Sequence, residues 1–375
     1  MIYKYAMVKR KSLIVLLYLS CVLLFGGGCG GQIETQGVRN VILFIGDGMG
    51  PEQVRAAGMY AQGEAGTLFF ETFPYQTEMT TYSANYRITD SAAAASAMAT
   101  GHKVNNGVIS MEIPGDESEL KTVLEYLQQA GKSAGLVTTV PMFHATPAAF
   151  GAHDPRRSNK EAIIADYLKQ TRPAVLLGGG ENGITPEKAM EADYLVVQNA
   201  ADMLALDTEI VERISGQFAA EIPYEYDGLG DLPSLTQMTE TALAILDNNP
   251  EGFFLMVEGG KIDWAAHDND IARMIGETLE FDQAVKAART WARERSDTLI
   301  VVTADHETGG LKILKNNGRG NLPAVAWSTT GHTAAPVPVY AWGPGAQLFS
   351  ASMDNTDIFY KIMTAADLTV AAPIK

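Results

Sequence analysis

Unbroken apolar runs, each closed by a glycine-rich or acidic stretch, recur along this chain. Val41-Ile42-Leu43-Phe44-Ile45 has no polar position and then turns into Gly46-Asp47-Gly48-Met49-Gly50. Residues 174–177, 253–257 and 298–302 repeat the form. They end in Gly178-Gly179-Gly180, Glu258-Gly259-Gly260 and Thr303-Ala304-Asp305. A strand without polar alternation is buried on both faces, as in a parallel sheet. Shorter strands are expected at 78–82, 133–138, 194–198, 210–214 and 338–342. Helical spacing marks 52–62, 120–130, 161–170, 236–248, 269–294 and 355–366, with a shorter helix near 200–206. The alternation predicts an α/β fold with a mostly parallel central sheet and helices on both faces. Residues 181–233 are less regular, and 223–233 form a turn-rich connector.

One polar-to-apolar switch stands apart. Arg87-Ile88-Thr89-Asp90 is extended and polar, and from Ser91 the chain is alanine-rich until Gly101. Ser91 is expected at or just inside a helix N-terminus, where free N–H groups and the positive end of the helix dipole gather. A serine oxygen there is favoured as an alkoxide, and a phosphate binds well beside it. A plain N-cap role for Asp90 or Ser91 is the alternative. Ala92, Ala95, Ser96 and Ala99 leave room for this helix to lie close under a sheet.

The 375 residues suit one large domain, expected over 40–375 with 181–233 as its less regular insert. The formal charge is −16, although residues 1–28 carry Lys4, Lys9, Arg10 and Lys11 and no acid. Such an acidic chain is a poor partner for nucleic acid, and any phosphate site in it needs local positive charge. Residues 1–28 read as an export signal, basic and then apolar, with 29–39 a linker. Cys29, after Gly26-Gly27-Gly28, resembles a bacterial lipoprotein cleavage site, which predicts a periplasmic protein with a lipid anchor. The other cysteine, Cys21, lies inside the apolar run, so no disulfide is expected.

Three buried runs end in Asp47, Glu258 and Asp305. Carboxylates gathered at one sheet edge repel one another unless cations neutralise them. Asp263 and His267 are one helical turn apart, and Asp305 and His306 are adjacent. His332 stands between Gly331 and Thr333. A turn aspartate or an ordinary histidine explains each one singly, whereas the set points to metal. Oxygen and imidazole donors without thiolate suit Zn²⁺, with Mg²⁺ at an all-oxygen position.

The order G-D-G-M-G, T-D-S-A, A-T-P-A, E-G-x-x-I-D-x-x-x-H, T-A-D-H and G-H-T resembles the alkaline phosphatases from Val41 to about Gly345. The resemblance implies that family's three-layer fold and a site with two zinc ions and one magnesium. It implies hydrolysis of phosphate monoesters through a phosphoserine, and a homodimer. By motif position Ser91 is similar to the nucleophile. Asp47, Ser91, Asp305 and His306 are similar to the ligands of one zinc, and Asp263, His267 and His332 to those of the other. Asp47, Thr146 and Glu258 resemble the magnesium ligands. Arg157, rather than its neighbour Arg156, falls where the family grips phosphate. His144 and Trp264 lie near the third metal position, where some relatives carry Asp and Lys and others His. A lysine in place of Trp264 could reach phosphate through water, and the indole cannot. His102 and His153 match no ligand position.

Two other functions compete. A phosphodiesterase or nucleotide pyrophosphatase shares the two-zinc core but generally lacks the counterparts of Thr146, Glu258 and Arg157. A non-catalytic zinc- or phosphate-binding lipoprotein would need no nucleophile at Ser91. A sulfatase is disfavoured because Ala92-Ala93 follow Ser91.

Overall fold

Val41 to Ile45 are wholly buried, as their unbroken apolar pattern requires. The computed structural model describes residues 37–179, 183–219 and 222–370. The expected export signal, Cys29 and most of the linker lie outside them. The strands in chain order are β1 (Asn40–Gly46), β2 (Tyr75–Thr80), β3 (Ser133–Pro141), β4 (Val175–Gly179), β5 (Leu195–Val197), β6 (Ile214–Phe218) and β7 (Phe253–Gly259). They continue with β8 (Thr298–Thr303), β9 (Glu307–Thr308), β10 (Lys312–Lys315), β11 (Ala324–Ala326), β12 (His332–Thr333), β13 (Val337–Trp342) and β14 (Met353–Asp354). The helices are α1 (Pro51–Gln62), α2 (Ser91–Thr100), α3 (Val123–Gln129), α4 (Ala145–Gly151), α5 (Lys160–Asp166) and α6 (Pro186–Glu191). They continue with α7 (Ala200–Leu204), α8 (Leu235–Leu246), α9 (Lys261–His267), α10 (Ile271–Trp291) and α11 (Thr356–Ala365).

Among the described residues ten strands make one sheet, in the order β14-β2-β13-β8-β1-β7-β3-β4-β6-β5. β13 runs antiparallel to both neighbours, and the other pairings are parallel. Successive side chains of a strand face opposite sides. Phe253 of β7 packs on Trp291 of α10, and Phe254 packs on Phe150 of α4. Helices therefore cover both faces, as expected. β9 pairs with β12, and β10 with β11, in two small antiparallel sheets.

Three local expectations shift. The strand expected at 210–214 begins where it was to end, because Ile210 is 76% exposed in a turn. Its buried residues Ser215-Gly216-Gln217 carry no apolar signal. β2 starts earlier than expected, since its place is set by pairing with β13. The alanine-rich α2 is buried throughout, but its main neighbours are α4 and α11 rather than the sheet.

Candidate active site

Parallel strands deliver their carboxyl ends to one edge. Ile45 of β1 is level with Glu258 of β7 and with Thr303 of β8. Asp47, Glu258 and Asp305 thus emerge side by side, all fully buried. The chain after β1 turns at Gly48, with φ +74°, where a Cβ would fall 2.8 Å from the Asp263 backbone. Gly48 N–H donates to Asp305 Oδ1 at 3.1 Å, which ties the β1 and β8 ends together.

Three groups of metal-ligand type form here: Asp47, Asp305 and His306; Asp263, His267 and His332; Asp47, Glu258 and His144. Both oxygens of Asp47, Oε1 of Glu258, Oδ2 of Asp305, Nδ1 of His144 and the Thr146 hydroxyl are buried and make no hydrogen bond within the protein. Buried polar atoms are normally satisfied, and one leftover costs about 1–3 kcal/mol. A cluster at one point is what a cation site leaves when only protein atoms are counted.

The second group shows the same thing through its imidazoles. His267 Nδ1 faces the Thr330 carbonyl, and His332 Nδ1 faces the Thr89 carbonyl at 2.9 Å. A carbonyl only accepts, so each Nδ1 carries its proton. Both Nε2 atoms then present lone pairs, yet they face each other at 3.2 Å. Asp263 Oδ2 lies 3.2 Å from His267 Nε2. A proton or a cation among these three atoms removes the conflict, and the donor set suits zinc.

Ser91 is the first residue of α2. Asp90 is the N-cap, its carboxylate accepting from Ala93 N–H at 3.0 Å. The cap role thus falls to Asp90, and Ser91 Oγ is directed at His306 Nε2, 3.3 Å away. Gly101 closes the helix in the left-handed conformation. Arg157 Nη1 donates to Asp90 Oδ2 at 3.0 Å, and Nη2 lies 3.3 Å from His144 Nε2. Arg156 is exposed, and Asp154 is engaged by Arg156 N–H and Asn159 instead. Trp264 meets His144 edge-on at 6.1 Å. His153 is a buried structural residue, held by the Ser110 carbonyl and Glu125.

The electrostatics describe a cluster short of positive charge. Burial, then Asp305, Asp263 and Glu258, hold Asp47 well above the usual carboxylate range. Burial pushes Glu258 up to about 7 and, with Asp263, pushes Asp305 up to about 6. Burial and Arg157 lower His144 to about 3, and burial drives His306 well down. His267 is raised to about 9 by its hydrogen bond to Asp263. The raised carboxylates stabilise the fold fully only below their unfolded values of about 4. That contribution is lost as pH rises through about 6 for Asp305 and about 7 for Glu258. His144 acts oppositely, its contribution lost as pH falls through about 3. A bound cation favours the deprotonated form of both kinds.

The expected site residues Asp47, Ser91, His144, Thr146, Arg157, Glu258, Asp263, Trp264, His267, Asp305, His306 and His332 all lie at this edge or in contact with residues there. The structure adds Asp90 as the partner of Arg157, and Thr308, whose hydroxyl touches Asp263 and His306. Thr308 is two residues past His306, the spacing that puts two side chains of an extended segment on one side.

Residues 38–322 and 316–368 match the profile of a family described as alkaline phosphatase. Alkaline phosphatase 3 of Bacillus subtilis is 34% identical, over 89% of this chain and 90% of its own. Streptomycin-6-phosphate phosphatase of Streptomyces griseus is 32% identical, over 88% of this chain and 91% of its own. The crystal structure of a cold-active alkaline phosphatase from a psychrophilic Shewanella superposes with a TM-score of 0.80 at 30% identity, covering 87% of this chain and 99% of that one.

Proposed function

This chain belongs to the alkaline phosphatase family, and from that premise we propose that it hydrolyses phosphate monoesters through a phosphoserine on Ser91. The observation that carries the reading is Ser91 Oγ at the start of α2, facing His306 Nε2 at 3.3 Å, with the guanidinium of Arg157 held beside it by Asp90. Asp47, Asp305 and His306, with Ser91, would hold one zinc, and Asp263, His267 and His332 the other. Asp47, Glu258 and Thr146 would hold magnesium, and His144 adds an imidazole that also suits zinc there. When bound, the ions supply charge for the attacking and leaving oxygens and lower the pKa of a hydroxyl.

Ser91 Oγ attacks phosphorus, and the bond from phosphorus to the alcohol oxygen breaks. The alcohol leaves with a proton. Water then attacks the phosphoserine, phosphate departs, and Ser91 Oγ regains its proton. Arg157 offers two N–H groups to two non-bridging phosphate oxygens, a planar fork with no counterpart elsewhere in the site. The unshared N–H groups of the first turn of α2 favour the same anion.

Arg157 separates this reading from a diesterase. A monoester can fill both arms of the fork, whereas a diester gives one of those oxygens to its second ester group. Hydrogen bonds to charged groups are worth roughly 1.5–3 kcal/mol. Arg157→Ala is therefore expected to lower monoester kcat/KM by about 10- to 100-fold, and diester turnover by less. Kinetics on a chromogenic monoester and diester check this. Equal losses on both, or none, would remove Arg157 from the phosphate site and favour the diesterase.

The basic-then-apolar N-terminus supports export to the periplasm, with Cys29 as the site of a lipid anchor. A homodimer is proposed by family analogy alone. The membrane fraction should hold a lipid-modified Cys29 that Cys29→Ala releases to the soluble fraction. Mass spectrometry of the N-terminal peptide reads it, and an unmodified cysteine there would exclude the anchor.

A further inference from the structure

Thr308 lies between the two zinc groups proposed above. It is fully buried, and its backbone is fixed on three sides. Its N–H donates to the Gly48 carbonyl at 3.3 Å, its carbonyl accepts from Gln53 of α1 at 2.7 Å, and it pairs across β9 and β12 with His332. Its hydroxyl donates to Asp263 Oδ1 and stands 3.3 Å from His306 Nδ1.

A threonine hydroxyl has one proton. Here that proton goes to Asp263, whose carboxylate only accepts. Toward His306 the Thr308 oxygen can then act only as acceptor, so Nδ1 of His306 carries the imidazole proton. A neutral imidazole has one N–H, which leaves Nε2 with a free lone pair. Nε2 is the atom that faces Asp305 Oδ2 at 3.2 Å, Ser91 Oγ at 3.3 Å and Asp47 Oδ1 at 3.5 Å. The same hydroxyl orients an aspartate of one group and selects the tautomer of a histidine of the other.

We propose that Thr308 is a positioning residue that couples the two zinc groups, its single hydroxyl presetting His306 for one ion and Asp263 for the other. The proposal rests on the two-zinc reading. Groups that orient a metal's ligands are typically worth 10- to 100-fold in affinity, so Thr308→Val, close to threonine in shape, is expected to weaken both zinc sites by about 10-fold or more. Thr308→Ser keeps the hydroxyl and should stay within about threefold of wild type. Chelator competition on purified protein measures the two dissociation constants directly, without assaying turnover. Unchanged constants in Thr308→Val, with only a lower Tm, would overturn the proposal. So would weakening confined to one ion, or a Thr308→Ser variant as impaired as the valine. If Thr308→Val does not fold, Thr308→Ala is judged by the same outcomes. If the wild-type chain itself retains no zinc, the two-zinc reading fails and the proposal falls with it.

Discussion

Ser91→Ala abolishes the phosphoenzyme and lowers kcat by about 1,000-fold or more, the expected outcome for removing a nucleophile whose partners act as a unit. The other candidate zinc ligands do not depend on it. Asp47, Asp305 and His306 still face one another, as do Asp263, His267 and His332. Zinc content should therefore stay near that of wild type, which separates loss of the nucleophile from loss of the centre. Residual turnover should proceed without a covalent intermediate, by direct attack of water on the bound ester. Acid-quenching wild type during turnover and mapping the phosphopeptide checks the assignment. A phosphoserine elsewhere, or a variant as active as wild type, would exclude Ser91.

Stripping divalent cations should abolish turnover and lower Tm together, and the fall in Tm should be larger near pH 8 than near pH 5. In the stripped chain the raised pKa values of Asp305 and Glu258, about 6 and about 7, mean that rising pH adds uncompensated negative charge to the buried edge. In the loaded chain rising pH removes the protons that compete with the ions. Both trends widen the gap. An ion present at about 1,000 times its Kd adds about 4 kcal/mol, and a domain of this size shifts by roughly 1–2 °C per kcal/mol. The expected fall is on the order of 5 °C per ion at high pH. Thermal scans at the two pH values, with metal content measured on the same samples, test it. Full activity in verified metal-free protein would sink the mechanism, and a fall independent of pH would sink the charge argument.

Asp47, Glu258 and Asp305 are legible in the sequence because a buried apolar run has no packing reason to end in a carboxylate. Ser91 is legible because the polar-to-alanine switch marks a helix start to within a residue. The partnership of Arg157 with Asp90 is not, since 67 positions separate them and a nearer acid, Asp154, is the obvious alternative. Thr308 is silent for a related reason. A hydroxyl is an ordinary group until its two partners are known, and one of them, Asp263, comes from α9, 45 positions away in the chain. β6 is placed too early in the sequence because Ser215-Gly216-Gln217 is buried without being apolar. Its neighbours β4 and β5 determine its place, and that pairing leaves no mark in its own residues.

The strand order has a consequence for how the molecule is made. β1 lies at the middle of the sheet between β7 and β8, so Val41 finds its neighbours only in Phe254 and Leu299. Synthesis runs from the N-terminus at roughly 5–20 residues per second, so the apolar β1 waits for tens of seconds before either partner exists. Sheets closed by such distant pairings fold slowly, and their unpaired edges are open to wrong partners meanwhile. The carboxylate edge forms only when β1, β7 and β8 stand side by side. Ion capture thus waits on the pairing of all three strands, and a chain that stops short of it has β1 to offer to a neighbour.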